Sequence, residues 1–221
     1  MPTAAPSPRR FLRAYLAWSL LLAAAHVALN LSWSTRNAPK PLKDLVAFAS
    51  ESSLVTWTSV VAMFAVGLAC VAIGRRDGAR GWTLSGAFFV YLSMDDGAML
   101  HERLAWLTGM RDGVVYSWTF LVLPAIALFG AAAFFQLWRG TRGRAVARRA
   151  LLGAFALWGL AVLCELAEKP LAESGLRWRG FPVANYQQLL EEWVEMLAPG
   201  VLLAGLITLL ANEREDVRVD A

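Results

Sequence analysis

The chain has 221 residues, of which 57% are hydrophobic and only 17% charged, with ten tryptophans. Ordinary soluble domains are about 45–50% apolar and about 25% charged. Its apolar runs are long and unbroken rather than short and alternating, which excludes a strand barrel and points to membrane-crossing helices. The net charge is +4, and the basic residues cluster between apolar runs with no interleaved aromatic platform, so nucleic acid is not an expected partner.

Six segments are apolar and long enough to cross a bilayer, or nearly so: 11–33, 54–74, 81–107, 114–138, 150–171 and 192–210. About 20 helical residues span roughly 30 Å of hydrocarbon, and a backbone there must bond to itself. The expected fold is therefore all-α, a polytopic transmembrane helical bundle forming a single transmembrane domain over residues 1–221. Arg9, Arg10 and Arg13 precede the first segment, and Arg75, Arg76 and Arg80 follow the second. Arg139, Arg142, Arg144, Arg148 and Arg149 follow the fourth, and Arg214 and Arg218 follow the last. That distribution puts both termini in the cytoplasm, in a multi-pass protein of a bacterial inner (plasma) membrane, surrounded by lipid. A cleaved signal peptide is disfavoured, because apolar character runs on past Ala25 through Val27, Leu29 and Leu31. The outer segments 34–53 and 172–188 have room for short interfacial helices, and Trp178, Phe181 and Tyr186 suit the headgroup layer. Cys70 and Cys164 fall at different depths and lack any metal-ligand spacing.

Ionisable groups inside a span cost roughly 2.5–3.5 kcal/mol each, so they are the informative residues. At 1.5 Å per residue, His26, Asp95 and Glu165 lie about 21–22 Å from the cytoplasmic starts of their segments, and Glu195 about 24 Å from the end of its own. Four helices thus place polar groups in one layer of the outer half-membrane. Asn30, Glu102, Glu168 and Glu192 form a second tier a turn or two further out. Asp95 and Glu102, seven apart, share a helix face, as do Glu165 with Glu168 and Glu192 with Glu195. His101 projects from a different side. Bland readings stand beside these. Glu191 and Glu192 could open a helix at the interface, Glu168 could pair with Lys169, and His26 could bond to a backbone carbonyl.

Carboxylates gathered in a low-dielectric layer need a counter-charge, and no base lies in the layer itself. Protons or a cation are the candidates. Oxygen ligands mixed with imidazole suit a divalent metal such as Zn, Fe or Mn. The expected metal ligands are Asp95, Glu102, Glu165 and Glu195, with His26 or His101. Glu168 or Glu192 would then be the catalytic base for a metal-bound water, acting on a lipid-like or membrane-borne substrate.

The segment Ser93-Met-Asp-Asp-Gly-Ala-Met-Leu-His-Glu102, with Glu191-Glu-Trp-Val-Glu-Met196, resembles a family of small multi-pass membrane proteins of bacteria and archaea. The resemblance covers the last four segments loosely and is specific only at these two motifs. It implies a six-span or similar helical fold and carries no activity. The Glu191-Glu192 pair also resembles the glutamate-pair motif of intramembrane CAAX-type proteases, but the following Arg and the two later His motifs are missing, which argues against that assignment.

Three functional classes follow. The first is a divalent-metal protein, with or without enzymatic chemistry. The second is a proton- or cation-coupled transporter, for which six spans without an inverted repeat are few unless the protein is a homo-oligomer. The third is a non-catalytic membrane subunit with a structural polar network.

Overall fold

A computed structural model describes residues 7–32, 37–48, 50, 52–100, 103 and 123–219. Within them the chain is helical apart from one small hairpin. Its elements are α1 (Pro8–Asn30), α2 (Lys40–Leu45), α3 (Leu54–Asp77), α4 (Arg80–Ala98), α5 (Leu123–Gly140), α6 (Ala145–Glu173), the strands β1 (Arg177–Trp178) and β2 (Phe181–Pro182), and α7 (Val183–Val219). Four helices are long and apolar enough to cross a membrane: α1, α3, α6 and the 183–211 part of α7.

Local chemistry sets several boundaries. Pro8 opens α1, where its fixed φ suits a helix start and its missing N–H is not needed. The Ser53 hydroxyl caps α3 by accepting from the Val55 and Thr56 amides at 3.2 and 3.3 Å. The same helix stops at Gly78, whose φ of 64° is the left-handed conformation glycine adopts freely. Between α6 and α7, Arg179 and Gly180 both have positive φ and turn the β1–β2 hairpin in two residues.

Helix α7 is the hub. It packs most broadly on α6, and also on α3 and α1, while α3 and α4 form a second close pair and α5 rests on α4. The core between these helices holds Val66, Cys70, Ile73, Phe89, Leu151, Leu202 and Leu206. Small residues bring α3 and α4 together: a methyl added at Gly86 would lie 2.7 Å from the Gly67 carbonyl oxygen, and one at Gly67 would lie 2.9 Å from that of Gly86. Helix α1 seats on the Pro199-Gly200 step of α7. The Tyr15 ring lies against Gly200, and its hydroxyl donates to the Met196 carbonyl at 2.6 Å. The outward faces stay apolar, with Leu84 71% and Leu163 64% exposed. Apolar surface of that kind belongs in lipid.

Two boundaries differ from the sequence expectation, both beside the acidic motifs. The third segment is not one helix to residue 107. Helix α4 stops at Ala98, and Met99 takes φ 53°, ψ 44°, donating its amide to the Asp95 carbonyl. Arg103 then donates its amide to Met99 O at 3.0 Å, starting a new turn. The last helix begins at Val183 rather than 192, so Glu191 and Glu192 sit about 12 Å inside it and do not open it. The first outer segment does hold a short helix, α2, whereas the second holds the hairpin. Residues 101, 102 and 114–122, which carry His101, Glu102 and the start of the fourth expected segment, lie outside the described residues.

Candidate functional site

A cluster of acidic side chains lies between α6 and α7. Gln187 and Glu191 are one turn apart on α7, and each is only 9% exposed. The Gln187 amide donates to the Cys164 carbonyl of α6 at 2.8 Å and to Glu191 Oε2 at 2.6 Å. This orients the amide, because a carbonyl oxygen can only accept. Gln187 Oε1 is buried and has no hydrogen-bond partner.

From α6, Glu165 lies close enough to Glu191 to interact with it, and Glu195 stands one turn further along α7. Glu168 lies one turn beyond Glu165 on α6. Lys169 pairs with Glu173 at 3.8 Å on the outer, largely exposed side of α6. Glu165 and Glu168 are half-buried, Glu192 is half-buried, and Glu195 is exposed.

Asp95, near the end of α4, is 4% exposed. Its neighbour Ser93 donates to the Val60 carbonyl at 2.8 Å, which fixes the end of α4 against α3. A methyl on Gly97 would rest 3.5 Å from the Val60 side chain. The left-handed turn at Met99 follows directly, and Glu102, expected on the Asp95 face, lies outside the described residues.

His26 has a different setting again. Its Nδ1 lies 3.2 Å from both the Val46 carbonyl and the Phe48 amide, and its ring meets Phe48 edge-on with centroids 5.2 Å apart. Asn30, one turn on, donates to the Lys43 carbonyl at 3.2 Å. The two residues tie the α2 segment down onto α1, which is the bland reading of His26.

The structure thus gathers Glu165, Glu168 and Glu195 around Glu191 and leaves His26 and Asp95 in other surroundings. Among the described residues, no group of three or more His, Cys, Asp or Glu is arranged to hold a metal ion. Gln187 and Glu191 complete the group and were not among the expected ligands. Glu191 had been read as a helix opener, and Gln187 lay before the expected start of the helix. The signal was present in the spacing Gln187-x-x-x-Glu191-x-x-x-Glu195, which puts three polar groups on successive turns.

A family model described as a domain of unknown function (DUF8692) matches residues 15–210. The chain belongs to this family. The match runs from within α1 to the end of the membrane-length part of α7, so it takes in both acidic motifs and every helix that shapes the group. No curated protein and no solved structure matches the chain.

Proposed function

We propose that this family member is a six-span protein of a prokaryotic inner membrane with both termini cytoplasmic, and that the Glu165–Gln187–Glu191 group is its working site: a carboxyl pair that takes up and releases a proton in exchange for a cation. The observation that carries this reading is the enclosed Glu191, which is held by Gln187 at 2.6 Å and faces Glu165 across the helix interface. An acid buried in a span and facing other helices is characteristic of proton relays and carriers. Glu168 and Glu195, adjoining the pair on the half-buried and exposed sides, extend it toward the surface and offer oxygen ligands to a hard cation. Pro199, inside α7, removes one backbone donor four residues after Glu195 and gives the helix a point at which to bend. The divalent-metal reading, with Zn, Fe or Mn held partly by His101 and Glu102, would need those two residues, outside the described set, to complete a ligand group around Asp95 or Glu165.

Reconstitution tests the proposal. Purified protein in liposomes loaded with a pH-sensitive dye would be given a cation gradient, one cation at a time. The wild type should move protons against at least one cation, Glu191→Gln should abolish the response, and the outward-facing Glu173→Gln should keep it. A wild type no different from empty liposomes for every cation, or a Glu191→Gln variant as active as wild type, would overturn it.

A further inference from the structure

The turn between α5 and α6 encloses a cavity of about 290 Å³ lined by Trp138, Arg139, Arg142 and Arg148. Small-molecule sites run from about 300 to 1,000 Å³, so this one is sized for a compact group. The Arg148 guanidinium carbon lies over the Trp138 ring, 3.5 Å from its centroid, and Trp138 is itself stacked on Phe134 at 5.8 Å. Stacking occupies the face of the guanidinium and leaves its in-plane N–H donors free to point elsewhere. Arg148 Nε is buried and has no hydrogen-bond partner.

The turn holds the other two arginines in place. The Thr141 hydroxyl, almost fully buried, donates to the Leu137 carbonyl at 2.9 Å, and the Arg142 amide donates to the Arg139 carbonyl at 3.2 Å. Among the described residues no carboxylate pairs with Arg139, Arg142 or Arg148. The amino end of the 29-residue α6 opens here, with no side chain capping it, and its free amides add to the positive potential. Arginines placed for topology alone need only be near the membrane surface. These three instead share a cavity wall and repel one another, and one buried donor lacks an acceptor. An anion would relieve both costs.

We infer that this cavity binds a phosphate group, either from the headgroup of an anionic phospholipid or as a free phosphate anion. The planar, forked donors of the arginines match phosphate oxygens. The mouth lies at the end of two helices whose outer faces are apolar, where a headgroup and its acyl chains would both be accommodated.

The test is calorimetric titration of the full-length protein in a neutral maltoside detergent with two probes, short-chain phosphatidylglycerol and inorganic phosphate. The variants are Arg142→Gln/Arg148→Gln and, as a charge-matched comparison, Arg9→Gln/Arg10→Gln at the start of α1. Binding of either probe to the wild type, at least about tenfold weaker in the cavity variant and unchanged in the comparison, is the expected result. Which probe binds identifies the source of the phosphate. No binding of either probe, or equal weakening by both variants, would overturn the inference. If the cavity variant loses its helical circular dichroism because Arg148 no longer packs on Trp138, Arg139→Gln/Arg142→Gln, which alters only exposed side chains, supplies the same comparison.

Discussion

Two glycines on α4 should respond to the same substitution with opposite sign. Gly86 faces α3, and a methyl there would lie 2.7 Å from the Gly67 carbonyl oxygen and 2.7 Å from Val71 Cγ2. Carbon contacts are comfortable at about 3.5 Å, so the helices would have to part by roughly 0.8 Å, enough to forfeit a quarter to a half of each pairwise attraction along the seam. Overpacking of this kind costs about 1–3 kcal/mol, against about 0.8–1 kcal/mol recovered because alanine is the better helix former. Gly86→Ala should therefore destabilise the protein by up to about 2 kcal/mol. A methyl at Gly97 would meet Val60 at 3.5 Å, an ordinary contact. Gly97→Ala should be neutral or stabilising by up to about 1 kcal/mol. Detergent-solubilised protein unfolded with increasing sodium dodecyl sulfate and followed by circular dichroism would report both changes. The close approach of α3 and α4 is refuted if Gly86→Ala unfolds with wild type, or if the two variants fall in the reverse order.

Other expectations concern the polar contacts. Gln187→Leu removes the donor to Cys164 O and Glu191; hydrogen bonds in membrane proteins average about 0.6 kcal/mol, so a loss near 1 kcal/mol is expected in the same assay, limited because Gln187 Oε1 has no partner to lose. Gly200→Ala should be destabilised by collision with the Tyr15 ring, and Tyr15→Leu in the same chain should restore part of the loss if that collision is the cause. His26→Phe should speed hydrogen exchange at the Phe48 amide, which donates to His26 Nδ1, and leave the amides of α3 unchanged.

The helical class and the apolar character of α1, α3, α6 and α7 were legible from run length alone, because lipid tolerates little else. The layer of acids was legible in part. Depth can be counted along a helix, and by that count Glu165 and Glu195 fall in one layer. Rotation about the helix axis cannot be counted the same way: Asp95 lies two residues from both Ser93 and Gly97, which face α3, and so projects from a different side of α4. The break at Met99 was hidden because methionine rarely adopts the left-handed region, and the Asp95-Asp96-Gly97 stretch before it was read as part of a polar site within the span. The early start of α7 was hidden because Asn185, Gln187 and Gln188 make its first two turns more polar than the run that follows. His26 looked like a ligand because its partners are backbone groups of a loop 20 residues away in sequence, which no side-chain pattern reveals.

The central claim is that Glu165 and Glu191 share a proton. Infrared difference spectroscopy of the reconstituted protein across a pH titration tests it most directly, with the wild type compared against Glu165→Gln and Glu191→Gln. The account predicts a protonated-carboxyl C=O band that shifts in D₂O and is lost in both single variants, since either one dissolves the pair. A wild-type spectrum without such a band, or one left intact by both substitutions, would contradict it.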